Sequence, residues 1–194
     1  MRFSLKNLSL GVVVASFAAA GLASAQTLVG VNSQLTQSIS TQSAKKGDAV
    51  TAKLKSTITA DGVKLPKGTQ ITGAIAAVQP SQNRGPATLS IVFTKAQLRS
   101  GKTLPIKATV IAAYSATQGD NASGRYMPAP PATVANDASV QQPGAIGKVS
   151  LDSSAKNSNS ALFARKDGNF TLDRGTYLQL GIAPENAGSS QAAE

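Results

Sequence analysis

The stretch Ala49-Val50-Thr51-Ala52-Lys53-Leu54-Lys55-Ser56-Thr57-Ile58 decides the fold. Val50, Ala52, Leu54 and Ile58 fall on one face of an extended chain, and Thr51, Lys53, Lys55 and Thr57 on the other. Successive side chains of a strand point to opposite sides, so a period of two marks a strand with one buried and one wet face. Three more segments repeat it. Ile71, Gly73, Ile75 and Ala77 share a face in Gln70 to Val78, as do Leu89, Ile91 and Phe93, and then Leu104, Ile106, Ala108 and Val110. Between them lies turn material: Asp61-Gly62, Pro66-Lys67-Gly68, Pro80 to Pro86, and Ser100-Gly101-Lys102. The pattern predicts an all-β chain, a small β-barrel or β-sandwich of about 6–8 strands.

The alternation stops at Ser115. From there to Ser160 the chain is rich in Ala, Ser, Asn, Gln and Pro with no sustained period. Such composition buries little apolar surface against the entropy of ordering, so residues 115–160 are expected to form a flexible polar insertion. Strand character returns at Phe170-Thr171-Leu172 and in Tyr177 to Ile182, and the polar tail 183–194 is expected to be disordered. This gives an N-terminal segment 26–44 and one β-domain over 45–182.

Two short stretches echo each other. Leu65-Pro66-Lys67-Gly68-Thr69-Gln70-Ile71 and Leu172-Asp173-Arg174-Gly175-Thr176-Tyr177-Leu178 both read Leu-x-basic-Gly-Thr-x-aliphatic. Pro66 and Asp173 suit the first central position of a type I turn. Gly68 and Gly175 suit a left-handed residue that starts the next strand. The echo predicts two equivalent corners in one sheet or barrel; convergent turn chemistry is the plainer alternative.

Ahead of the strands stands an export signal. Arg2 and Lys6 precede an uncharged apolar run from Leu8 to Leu22, and Ala23-Ser24-Ala25 offers the small-x-small pattern for cleavage between Ala25 and Gln26. The alternative, a retained anchor, needs roughly 20 apolar residues, more than this run supplies. No cysteine is present to carry a lipid, and no later segment is apolar enough to span a membrane as a helix. The expected location is outside the cytoplasm, periplasmic or at the outer surface.

The chain of 194 residues carries a net charge of +10, and loss of Arg2 and Lys6 with the signal leaves +8. Between Lys45 and Lys107 stand 11 basic residues and two acids, Asp48 and Asp61; from Ala108 onward basic and acidic residues nearly balance. Lys45, Lys46, Lys53, Lys55, Lys64 and Lys67 form a candidate basic surface for nucleic acid, acidic glycan or anionic lipid. A lysine-bearing strand face that merely keeps the barrel soluble explains the same charges. No aromatic side chain lies among these lysines, so any nucleic-acid contact is expected to be non-specific and salt-sensitive.

With no His and no Cys, the chain lacks the usual general base, the thiol nucleophile and the common transition-metal ligands. Asp61, Asp120, Asp137 and Asp152 are too isolated for a calcium loop, and no phosphate-cradling Gly-rich loop is present. The expectation is a non-enzyme without catalytic residues, metal or cofactor. An unusual hydrolase would need a pocket that sets a serine beside a lysine or aspartate.

The order of these pieces resembles the C-terminal domain of the TrbI-like family of conjugation and type IV secretion proteins. The matching segments are Gly47 to Leu54, Leu65 to Gly73, Leu89 to Leu98, Ser100 to Ile106 and Phe170 to Ile182. Together they cover residues 45–113 and 168–182. The resemblance implies a β-barrel in the envelope of a diderm bacterium that assembles with other envelope proteins. The chain departs from the family in its cleavable signal, where members keep a membrane helix, and in its polar insertion, where channel-forming members carry apolar helices. A free-standing barrel is therefore expected.

Overall fold

The computed structural model describes residues 27–116 and 128–185. The export signal with its junction at Ala25 and Gln26, residues 117–127 of the expected insertion, and residues 186–194 lie outside the described residues. In chain order the strands are β1 (Leu28–Leu35), β2 (Ile39–Ser40), β3 (Ala49–Leu54), β4 (Ile58–Ala60), β5 (Val63–Leu65), β6 (Gln70–Gln79) and β7 (Ala87–Gln97). There follow β8 (Thr103–Tyr114), β9 (Thr133–Val134), β10 (Ser139–Ile146), β11 (Val149–Ser154), β12 (Ala161–Arg165), β13 (Thr171–Leu172) and β14 (Tyr177–Pro184).

Six of them close a barrel in the order β7-β6-β3-β1-β14-β8, and β8 returns to β7 through Lys95↔Pro105, Ala96↔Leu104 and Gln97↔Thr103. The fold class is thus the all-β one the periodicity predicts, a barrel with extra strands rather than a sandwich. Closure joins sequence-distant segments, since β1 pairs β14 from Val29↔Ile182 to Gln34↔Tyr177. The interior is filled by the residues the alternation singles out: Val50, Ala52, Leu54, Ile71, Ile75, Leu89, Ile91, Phe93, Ile106, Ala108 and Val110. Each fully buried Leu, Ile or Phe contributes about 1.5–3 kcal/mol.

Bulges decide where the alternation changes phase. β6 carries an extra residue between Ile75 and Ala77, so Ala77 faces solvent and Val78 takes the inward place expected of it. β8 carries Ile111 opposite Gln179 and Leu180, which brings Ala113 into the core. The strand expected over 49–58 ends at Leu54; Ile58 belongs to the β4–β5 ladder, which packs Ile58 and Leu65 into one end of the barrel. At the other end the β2–β13 ladder does the same with Ile39 and Leu172, joined by the preceding Phe170.

Three boundary expectations are corrected. The segment 26–44 holds a barrel strand, β1; its pattern is hidden because Ser33, fully buried, takes an inward place and donates to the Leu178 carbonyl at 2.9 Å. Ala183 and Pro184 of the expected tail are buried residues of β14. Within 115–160, expected to lack regular structure, lie β9, β10 and β11. β12 pairs the first half of β7, and β11 and β10 follow outward in the same sheet. These strands show no long apolar period because a bulge between Gln142 and Ile146 breaks register and polar side chains do part of the packing.

The segment from Pro128 crosses the outer barrel wall and ends in β9, which pairs β1 through Leu28↔Val134 and Val29↔Thr133. Leu28, Val134, Ala155 and Ala183 form a second small cluster there, and Gln179 Nε2 donates to the Pro128 carbonyl at 2.6 Å. β14 is accordingly buried on both faces along its whole length. Gly30 permits the approach: a Cβ there would stand 1.9 Å from the Pro131 carbonyl oxygen.

Candidate functional site

The two echoed turns are corners that make the same hydrogen bonds. In the first, the Gly68 N–H donates to the Leu54 carbonyl at 2.9 Å, the Leu54 N–H to Thr69 at 2.9 Å, and the Lys67 N–H to Thr57 Oγ1 at 3.0 Å. In the second, Gly175 donates to Leu35 at 2.9 Å, Leu35 to Thr176 at 2.9 Å, and Arg174 to Ser38 Oγ at 2.9 Å. Gly68 and Gly175 sit at φ +90° and +92°, where a side chain is strained. The turn bonds run from Thr69 N–H to the Pro66 carbonyl (3.1 Å) and from Thr176 N–H to Asp173 (3.0 Å). Pro66 and Asp173 therefore open each turn, one place earlier than the type I assignment puts them. The glycine takes the second central position, whose positive φ is the type II requirement.

The corners point toward opposite ends of the barrel, because β1 and β3 are antiparallel neighbours and each ends in one of them, and they meet at the seam where Gln34 pairs Lys53. The candidate basic residues are divided by the same geometry. Lys45 and Lys46 precede β3, whose six residues span about 20 Å. Lys53, Lys64 and Lys67 gather at its far end, together with Arg99 and Lys102 of the β7–β8 turn, all five exposed. The Arg99 guanidinium lies over Gly68, with a nitrogen 2.7 Å from where a Cβ would stand. Lys55 is turned along the barrel flank, its Nζ 3.1 Å from Gln34 Oε1 and 5.7 Å from the centre of the Tyr177 ring. Arg99 and Lys102 were legible only as part of the charge count; what places them beside Lys67 is the register of β6 on β7.

A second feature is a fork. β7 and β8 pair only over 95–97 and 103–105; beyond that β12 takes the edge of β7, and β8 runs on paired with β14 alone. Ser160 holds the fork shut. Its N–H donates to Ile91 (2.9 Å), its carbonyl accepts from Val110 (2.8 Å), and its Oγ accepts from the Phe93 N–H (2.8 Å). Above it the β10–β11 face completes the β8 edge. Gln142 accepts from the Ala113 N–H at 3.1 Å and donates to the Ala113 carbonyl at 3.3 Å, and Ser153 Oγ donates to Val110. Below it a groove of about 380 Å³ opens, lined by Val92, Thr94, Lys107, Lys156, Asn157 and Glu185 among others.

A more apolar cleft of about 470 Å³ lies at the free end of the added sheet, between Pro86, Pro143, Gly144 and Ala164. Its rim carries Asp167 at 3.9 Å from Lys148 and 3.6 Å from Arg165, surface pairs that contribute about 1 kcal/mol at most. Burial raises the pKa of the Tyr114 phenol, at the end of β8, above its ordinary value. Among the described residues no three His, Cys, Asp or Glu side chains converge as metal ligands, and no helix is long and apolar enough to cross a membrane. In the groove the Ser160 hydroxyl is committed to the Phe93 backbone.

No family model matches the sequence, and no curated protein matches it. Among solved structures the chain is similar to ComB10 of the Com type IV secretion system of Helicobacter pylori. The two are 15% identical over 81% of this chain and 87% of that one, with a TM-score of 0.39. At that score the likeness carries neither membership of the TrbI-like family nor a role across to this chain.

Proposed function

We propose that this chain is an exported, non-enzymatic β-barrel module of a diderm cell envelope, in the periplasm or at the outer surface, that works by holding other envelope proteins. The observation that carries this reading is β10. It ends the sheet, pairing only β11 among the described residues, and its side chains Ser139 and Gln141 are exposed. A terminal strand presents a row of backbone donors and acceptors to any extended segment of a partner. The bulge at Pro143 and Gly144 limits the open edge to its first half, which restricts pairing to a short segment. The apolar cleft between Pro86, Pro143 and Ala164 lies next to that bulge, where it can take a side chain of the same segment.

The test is cross-linking and pull-down from envelope extract with the mature chain and with S139K/Q141K, which places charges on the open edge. The expected result is a protein partner retained by the parent and lost by the variant, with the melting temperature unchanged. A strictly monomeric chain without partners, or a variant that retains them fully, overturns the reading.

A further inference from the structure

The two corners provide an internal comparison within one molecule. Both make the same backbone bonds, so turn chemistry alone accounts for Gly68 and Gly175 and for the hydroxyls of Thr57 and Ser38. It does not account for charge. Lys53, Lys55 and Lys67 at the first corner correspond to Gln34, Thr36 and Arg174 at the second, and Pro66 corresponds to Asp173, which offsets Arg174. The first corner then gains Lys64 from β5, and Arg99 and Lys102 from the β7–β8 turn, with Asp61 as the acid of that end. The fold requires none of these cations.

Their arrangement distinguishes among anionic partners. The barrel rung through Lys53 runs Tyr114, Tyr177, Gln34, Lys53, Gln70, Gln97, Thr103, so no row of cations follows it across the wall as an extended polymer would need. The charges instead stand apart at one barrel end: Lys53 on β3, Lys64 on β5, Lys67 in the first corner, and Arg99 and Lys102 in the β7–β8 connection. The dent between those turns, about 210 Å³ beside Arg99, Gln70 and Gln97, is too small for a chain of sugars or nucleotides. Among the described residues the only large exposed hydrophobic is Leu162, on β12 of the added sheet, so this end has nothing to insert into hydrocarbon.

From this we infer that the barrel end formed by Lys53, Lys64, Lys67, Arg99 and Lys102 docks end-on, by charge alone, against the anionic headgroups of a lipid bilayer. Lysines near such a surface each add to binding, and the attraction decays within a Debye length, so only the cations facing the membrane count. The inference rests on the envelope reading for its compartment only. β10, which carries that reading, lies in the added sheet and not among these turns.

The experiment is flotation of the mature chain with vesicles of phosphatidylcholine alone or with about one-third phosphatidylglycerol, at low and high salt. The parent is expected to float only with anionic vesicles and to be released by salt. K64Q/K67Q/K102Q is expected to lower the partition coefficient by about a hundredfold. K45Q/K46Q/R174Q, which removes the same charge from the opposite end, is expected to change it by less than about threefold. Equal loss in both variants, equal binding to neutral vesicles, or no binding to anionic vesicles at low salt overturns the inference. Binding to soluble heparin without binding to vesicles overturns it in favour of a polymer. None of these outcomes alters the pull-down result with S139K/Q141K, so the two readings fail separately.

Discussion

Ser160 shows how much one small polar side chain can decide. It is 2% exposed, and it satisfies β7 twice and β8 once at the point where the two strands part. S160A removes only the hydroxyl, yet it leaves the Phe93 N–H buried without a partner. An unsatisfied buried donor costs about 1–3 kcal/mol. Urea unfolding of S160A should give an unfolding free energy lower by that amount, seen as a lower midpoint at unchanged slope; a midpoint equal to that of the parent would mean that water or a rearranged turn replaces the hydroxyl. Nothing in the local sequence singles out Ser160 among the serines of Ser153 to Ser160, because its role depends on which strands it lies between. The corner glycines are the opposite case. Gly68 and Gly175 stand out in the sequence because positive φ restricts residue choice at the position itself.

Elements follow the same division. β3, β6, β7 and β8 were legible because each has one face in the core, and an apolar alternation is what such a strand must show. β10 and β11 were not, since they lie against the edge of β8 through Gln142 and Ser153 as well as through Leu151. The segment 128–134 was hidden for a related reason. It is held by the Gln179 amide, Val134, the space above Gly30 and a two-residue ladder of β9 on β1, and none of these has a period. G30A places a methyl group against the Pro131 carbonyl and should lift this segment from the wall while the barrel persists. Limited proteolysis should then cut near 128–134 much faster than in the parent, with far-UV circular dichroism little changed. Cleavage at the parental rate would show that the backbone shifts to accept the methyl group.

For the whole molecule, closure depends on the last strand. β14 joins β1 to β8 and places Leu178, Leu180 and Ile182 in the core. Three such side chains at about 2 kcal/mol each approach the entire stability of a typical domain, roughly 5–15 kcal/mol. A chain ended at Thr176 should therefore show no cooperative thermal transition, and a sharp transition would mean that the remaining strands close without it. The asymmetry of charge between the two ends also belongs to this scale, since Lys53, Lys67 and Arg99 become neighbours only when β3, β6 and β7 pair in register. By itself the sequence determined the all-β class, five of the six barrel strands, the two corners and the excess of cations between Lys45 and Lys107, because each follows from local alternation, local φ or simple composition. The tertiary structure alone decided that β1 and β14 close the ring, that the polar 139–154 stretch is paired sheet, and that the cations split between opposite ends. Those outcomes depend on pairings between distant segments, and the energy of a pairing is not written in either partner alone.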